Sequence, residues 1–274
     1  MRKSIKCLIL FSLCSLFIFN EAIQAQIQEP EVLKIPRNYS PIQDKYGAGF
    51  GFNFAMNNFG FGAGAEFRQV IARETELTAS LRMTGLRDAS EQTFTDIFFG
   101  QQIVPNKYQR AFAFPLLLGM RQRVFSDTIQ EDYRFFVSAS IGPAAAFSYP
   151  YFDDLNDNGF REQFQNYFEP VNDVFSGMGD GEWHLGGAGE FKVGLDIGSN
   201  FARLNSIEFG YYFYYFPDGI QIMMPNQPQL RENIGPGESP FMFDENGELL
   251  LEPFYDAQRF FGSPQITFTF GWLW

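Results

Sequence analysis

The residues best suited to chemistry lie in one acidic segment of the chain. Asp154, Asn156 and Asn158 stand at positions 1, 3 and 5 of a calcium-loop pattern, with Gly159 at position 6, where such loops turn sharply. Glu162 at position 9 adds a carboxylate, whereas position 12 carries glutamine instead of the bidentate glutamate of the full pattern. We favour a polar turn built by asparagine side chains, with weak calcium (Ca2+) binding as the alternative hypothesis.

Support for catalysis elsewhere in the chain is slight. The sole histidine is His184, and both cysteines, Cys7 and Cys14, fall in a predicted signal peptide. The sequence carries no serine-hydrolase elbow, phosphate loop or zinc pattern. We therefore expect a protein that is not an enzyme, with His184 as a rim histidine. A lipid-modifying enzyme that uses this histidine is the alternative.

Acidic residues are concentrated in two segments. The formal net charge is −12 at pH 7, which argues against nucleic acid as a partner. Segment 148–182, which contains the calcium-like run, holds eight acidic residues and one basic residue, and segment 217–261 holds eight and two. Such a surface attracts divalent cations or a cationic envelope protein, or it stays solvated and repels other molecules.

Eight other segments alternate between apolar side chains and polar or small ones. This period of two predicts β-strands with one apolar face, and each strand is long enough to cross a bilayer when tilted. The predicted strands cover about 46–56, 59–69, 75–86, 109–123, 132–147, 183–197, 204–216 and the C-terminal run 264–274. An even number of such strands is typical of a transmembrane β-barrel, with lipid outside and a polar lumen inside.

The lengths of the connections support the same fold. The short links are 70–74, 124–131 and 198–203. The long links are 87–108, 148–182 and 217–261, and only the turn at Asn57-Asn58 departs from the alternation. Short periplasmic turns and long extracellular loops are typical of membrane barrels, whereas a soluble β-sandwich has no reason to sort its loops in this way.

Charged residues on the inward parity form a set of nearly balanced sign. The set comprises Glu66, Arg68, Glu76, Arg82, Arg121, Arg134, Glu190, Lys192 and Glu208. Because a buried charge without a partner is costly, we expect these side chains to pair across a narrow interior. Eight strands leave a lumen that side chains can fill, so we favour a plugged, ion-paired core over a narrow solute channel.

The two ends of the chain indicate the compartment. Residues 1–25 have the basic start, short apolar stretch and small final residue of a signal peptide; residues 26–44 form a predicted periplasmic leader, and 45–274 the barrel domain. The apolar face of the terminal run carries Phe268, Phe270, Trp272 and Trp274. This run resembles the carboxy-terminal signal of bacterial outer-membrane proteins, which implies insertion into outer-membrane lipid with barrel-assembly machinery as a partner.

Two strand segments carry a further resemblance. Phe114-Pro115-Leu116-Leu117-Leu118 and Ser140-Ile141-Gly142-Pro143 resemble strands of the small bacterial outer-membrane β-barrel family, which includes OmpA-like porin-family domains and PorT-like proteins. The resemblance covers the strands and not the loops. It implies a small barrel and, from the PorT-like members, a component of an envelope or secretion assembly. Both prolines lack a ladder N–H, so each is expected at a bulge or at an open ladder position.

These patterns together predict an all-β, eight-stranded antiparallel transmembrane β-barrel with long extracellular loops and short periplasmic turns. We expect it in the outer membrane of a Gram-negative bacterium after signal-peptide cleavage. Its expected role is structural or interactive, without a cofactor apart from the weak calcium site. A porin-like channel, a PorT-like assembly component and a lipid-modifying enzyme remain the alternatives.

Overall fold

The structure is a computed structural model that describes residues 46–95, 102–126, 133–164, 167–198, 202–235, 237 and 239–274. The predicted signal peptide and leader lie outside these ranges. The long strands are β1 Ala48–Asn57, β2 Gly60–Ala72, β3 Thr75–Leu86, β4 Gln109–Val124, β5 Tyr133–Pro150, β6 Glu182–Ile197, β7 Arg203–Ile220 and β8 Gln258–Leu273.

The eight strands close into one antiparallel ring. Each strand pairs with the next in chain order, and β8 pairs with β1. The barrel is staggered by ten residues. A path from Phe213 through directly paired residues, once around the ring, returns to β7 at Arg203, ten positions away on the same strand. Such a stagger requires strands tilted by about 35–45° to the barrel axis. The predicted fold class is confirmed.

The connections also follow the prediction. Short turns join β2 to β3, β4 to β5 and β6 to β7 at the end that we name the turn end, where β1 begins and β8 finishes. Three long loops and the tight β1–β2 turn lie at the opposite end, which we name the loop end. We call the corresponding parts of the interior the turn half and the loop half.

The two strand prolines leave the ladder open without changing its register. Pairing between β4 and β5 stops after Pro115–Ala144 and resumes three residues later in the same register. Of the two expectations for Pro115 and Pro143, the open ladder is therefore the right one. Gly142 makes the close approach of the strands feasible, because a Cβ there would lie only 2.0 Å from the carbonyl oxygen of Leu116.

Three strands extend further toward the loop end than predicted. β5 continues to Pro150 and β7 to Ile220, and β8 begins at Gln258 instead of at residue 264. The reason lies in the interior at that level, which is apolar. Phe260 points outward and Phe261 points inward, yet both are aromatic. The alternation between apolar and polar side chains, on which the prediction depends, is therefore absent there.

The long loops contain short paired segments of their own. These are Phe94–Thr95 with Gln102–Ile103, Gln163–Phe164 with Tyr167–Phe168, and Asn226–Pro228 with Leu251–Pro253, besides a 3₁₀ turn at Met178–Asp180. Across the described ranges, no helix has the length and apolar character needed to span a membrane.

Candidate functional site

A network of charged side chains fills the turn half of the interior. All nine residues predicted to face inward lie there, each no more than 8% exposed. Two further charged residues, Arg123 and Asp196, belong to the same buried network. Alternation places both on the inward parity, since Arg123 ends the predicted fourth strand and Asp196 lies four residues after Lys192 on β6.

One part of the network is centred on Lys192. Its Nζ lies 2.8 Å from an Oε of Glu208, 2.9 Å from one of Glu190 and 3.9 Å from one of Glu66. Arg68 contacts Glu66 at 2.5 Å and reaches Glu208 at 3.6 Å. Each cation thus faces at least two carboxylates, the multiple pairing that charges removed from water require.

The other part is centred on Arg121. Its guanidinium lies 2.5 Å from Asp196, 3.5 Å from Glu76 and 3.9 Å from Glu208, which joins the two parts. The guanidinium carbon is also 3.2 Å from the ring centroid of Phe136, a cation–π contact in a desolvated setting. Arg121 therefore neutralises three carboxylates from three different strands.

Apolar side chains fill the loop half. The buried cluster there comprises Leu86, Ala111, Ala113, Leu117, Ala144, Ala146, Ala188, Tyr212, Tyr214, Phe216, Ile220, Ile222 and Phe261. Arg82 joins the two halves, since its guanidinium lies 5.1 Å from the ring centroid of Tyr212 and 3.4 Å from Glu190. The charged part of the lumen is therefore confined to the turn half.

A segment of the last long loop closes the loop end. Residues 221–224 follow β7 and turn inward, and Ile222, Met223 and Met224 are buried. The backbone pairs with the first long loop, since Tyr108 donates its N–H to Ile222 O at 2.8 Å, and Met224 donates to Asn106 O at 2.8 Å. This segment, which we call the lid segment, covers the apolar cluster.

The outer surface of the wall is apolar on every strand. Large exposed side chains on it include Phe52, Phe61, Leu81, Leu118, Ile141, Phe191 and Phe209. The four residues of the predicted insertion signal, Phe268, Phe270, Trp272 and Trp274, face outward in the same belt. A closed ring with an apolar perimeter, an inward charge network and no open sheet edge suits a lipid bilayer. This is a small transmembrane β-barrel.

Two solved structures are similar to this barrel at a distance. The N-terminal β-barrel domain of Pseudomonas aeruginosa OprF aligns over 81% of this chain and 96% of its own, with 8% identity and a TM-score of 0.32. Neisserial surface protein A (NspA) aligns over 82% and 91%, with 8% identity and a TM-score of 0.30. No family model and no curated protein matches the chain. At this distance neither structure says what the barrel does.

The four residues of the predicted calcium loop meet in one tight turn. The Asp154 carboxylate accepts the backbone N–H groups of Asn158 at 3.1 Å and Gly159 at 2.8 Å. The side-chain amides of Asn156 and Asn158 donate to one oxygen of Glu162, at 3.2 and 2.9 Å.

This turn is held by its own hydrogen bonds. Among the described residues, no group of three or more His, Cys, Asp or Glu side chains is arranged to hold a metal ion. Calcium binding stays a prediction, which calorimetric titration of the barrel and of the Asp154→Ala variant tests.

His184 lies on the inner face of β6 near the loop end. Its Nε2 is 2.9 Å from Oγ of Ser148 on β5, and Ser148 is buried. A serine–histidine contact is the arrangement that nucleophilic catalysis uses. The contact also gives the buried Ser148 hydroxyl a hydrogen-bond partner.

Buried polar groups order the second long loop. Both carboxylate oxygens of Glu169 accept backbone N–H groups, from Leu155 at 3.0 Å and from Glu162 at 2.8 Å. Burial raises the pKa of Glu169 above its ordinary value. Burial also raises the pKa of Tyr108, and the nearby carboxylates of Asp154 and Asp157 act in the same direction. This loop is thus folded onto the barrel mouth.

Proposed function

We propose that the chain is a Gram-negative outer-membrane β-barrel that conducts no solute and presents an ordered acidic surface to an envelope partner. The observation that carries this proposal is the continuous filling of the interior. The charge network occupies the turn half, the apolar cluster occupies the loop half, and the lid segment lies over that cluster. A route for solute would require all three to rearrange.

The acidic surface is supported by the charge of the second and last long loops. Between the observed strands, residues 151–181 and 221–257 each hold seven acidic residues and one basic residue. The two loops contact each other, since the Asn226 side-chain amide donates to Asn158 O at 2.7 Å. Arg110 of β4 donates to the carbonyl oxygens of Asn172 and Asp173 at 2.8 and 2.9 Å. These contacts hold the described parts of both loops in place and so fix the acidic field, which favours a cationic partner.

The first experiment concerns transport. The purified barrel is added to a planar lipid bilayer, and conductance is recorded at both polarities with a known porin as the positive control. We expect no discrete steps, because both halves of the interior are filled. Reproducible unitary steps would refute the closed barrel and favour the narrow channel.

The second experiment concerns the surface. The barrel is reconstituted in zwitterionic nanodiscs, and binding of a fluorescent oligolysine peptide is measured by anisotropy at low and high salt. We expect salt-sensitive binding that weakens when the exposed acids Asp153, Asp157 and Asp173 are changed to Asn. Empty nanodiscs are the control. Absence of oligolysine binding at low salt would contradict an attractive acidic surface.

A second candidate function rests on the contact between Ser148 and His184. In this alternative, Ser148 Oγ attacks the carbonyl carbon of a lipid ester while His184 accepts the serine proton. The ester C–O bond then breaks, the leaving alcohol takes the proton from His184, and water hydrolyses the acyl–serine bond. The test is labelling by a fluorophosphonate probe, followed by lipid mass spectrometry of the wild type and of His184→Ala. Labelling of Ser148 that depends on His184 would favour the enzyme. An unlabelled serine with unchanged lipids favours the interaction protein.

A further inference from the structure

The last long loop projects a small β-structured finger, which we define as residues 226–253. Its base is the hairpin between Asn226–Pro228 and Leu251–Pro253. Beyond the base, the segment 240–243 joins both arms: Met242 donates to Gln229 O at 3.0 Å, and Leu250 donates to Met242 O at 2.9 Å. Cross-strand backbone bonds on two sides give the finger a defined shape.

The tip of the finger is fixed by a capped turn. The Asp244 Oδ1 accepts the backbone N–H groups of Asn246 at 2.9 Å and Glu248 at 2.8 Å. Gly247 follows with φ +85°, a conformation that glycine adopts without strain. Asp244 N–H in turn donates to Glu248 O at 2.8 Å. The backbone at the tip of the finger is therefore fixed.

One face of the finger is apolar. Leu230 pairs with Phe241, and Phe243 pairs with Leu249. Because directly paired residues point to the same side and residues two apart share a face, these four side chains line one surface. Leu230 is 65% exposed and Phe243 is 39% exposed. Exposed apolar side chains that are held in a fixed arrangement are typical of an interaction surface.

The surroundings of this face are acidic. The finger carries six acidic residues and one basic residue. Of these acids, Glu232, Glu245, Glu248 and Glu252 are exposed. Pairing of this face with a second copy of the chain would bring two acidic rims together, so charge disfavours self-association. A partner with a basic rim is instead attracted to the acidic rim of the finger.

We propose that the apolar face of the finger is the docking surface for a protein that presents an apolar patch ringed by lysine and arginine. This inference rests on the proposed function and names the element that performs it. Leu230 and Phe243 contact the partner's apolar patch, and the acidic rim fixes its orientation. Charge steers the encounter, and apolar burial gives selectivity over purely cationic molecules.

The test compares two fluorescent peptides on the barrel in zwitterionic nanodiscs. One is an amphipathic helix of lysine and leucine, and the other is an oligolysine of equal charge. We expect the amphipathic peptide to bind at least about tenfold more tightly, which is the scale expected for burial of one or two large apolar side chains. The Leu230→Ser, Phe243→Ser double variant should lose this gain and keep the oligolysine affinity.

A matched control uses another loop. Phe175 is an exposed aromatic in the second long loop, so Phe175→Ser should leave both affinities unchanged. Hydrogen exchange of the finger checks that the double variant keeps its pairing. Equal affinity of the two peptides, or a gain that survives the double variant, overturns the docking surface. Absence of oligolysine binding to the unsubstituted barrel would count against the proposed function itself. A dimer in sedimentation that Phe243→Ser abolishes would overturn the basic partner.

Discussion

The two halves of the barrel interior solve the same packing problem with opposite chemistry. In the turn half, six cations and five carboxylates are buried and pair across strands. In the loop half, small alanines and large aromatics interlock, as Ala113, Ala146 and Phe216 do without exposure to solvent. Both halves exclude solute, but they differ in how they tolerate change.

The difference teaches what each half depends on. A charge network is sensitive to the loss of one member, because the remaining buried charges lose part of their compensation. An apolar cluster is sensitive to volume, because neighbouring side chains close a cavity only in part. Substitutions of matched type in the two halves therefore separate electrostatic from steric contributions to the stability of the barrel.

The largest effect is expected for Arg121→Met. This change leaves Glu76, Asp196 and Glu208 without their shared cation, which should lower the free energy of unfolding by about 3–5 kcal/mol. Tryptophan fluorescence during denaturant titration in lipid vesicles measures it. Arg73→Met is the matched control, because Arg73 contacts Glu74 at 3.5 Å with 47% of its side chain exposed. Its expected cost is at most about 1 kcal/mol. Equal costs for the two variants would show that the buried network stabilises the barrel no more than an exposed ion pair does.

The next effect concerns the loop half. Leu117→Ala opens a cavity in the apolar cluster, with an expected cost of about 3 kcal/mol or more. Leu118→Ala, one residue along on the lipid face, should cost about 2 kcal/mol or less, because fluid lipid fills the vacated space. Denaturant titration in the same vesicles compares the two variants. A larger loss at Leu118 would mean that the cluster is loosely packed.

The same contrast explains how far the sequence could predict the molecule. In the turn half, charged and apolar residues alternate, so period-two reasoning located Glu66, Arg68 and Lys192 inside the wall. In the loop half both faces are apolar, and neighbours such as Phe260 and Phe261 carry no alternation. Strand ends are therefore least predictable at the loop end, because the pattern measures a difference between the two faces.

The cap of loops was predictable in charge but not in structure. Counting residues located the acidic segments, and the calcium-like spacing of Asp154, Asn156 and Asn158 marked a turn. The burial of Ile222 depends on pairing with Tyr108, more than a hundred residues away in sequence. No local pattern encodes such a contact. The contact of Ser148 with His184 is likewise set by the register of β5 and β6.

A hydroxyl in each half allows a finer comparison. Ser206 donates to the Asp196 carboxylate at 2.7 Å in the turn half, whereas Ser148 lies 2.9 Å from His184 in the loop half. A bond to a charged group is the stronger one, so Ser206→Ala should cost about 2 kcal/mol and Ser148→Ala about 1 kcal/mol. Denaturant titration of the two variants gives the order. The reverse order would place the more demanding polar contact in the apolar half.

The smallest effect extends the comparison to the loops, which we expect to respond to acid before the wall of the barrel does. The backbone N–H of Glu248 donates to the Asp244 carboxylate and holds its pKa below the ordinary value. A depressed pKa in the folded state means that the turn is stabilised above the pKa of the unfolded chain. That stabilisation is lost as the pH falls through the pKa of the folded state.

Hydrogen exchange across 240–250, corrected for intrinsic rates, should therefore quicken in acid. Asp244→Asn keeps an acceptor oxygen but does not titrate, so its exchange should not change with pH. Peptides from β4 serve as the internal control, and equal acid sensitivity in β4 and in the finger would contradict a local switch at Asp244.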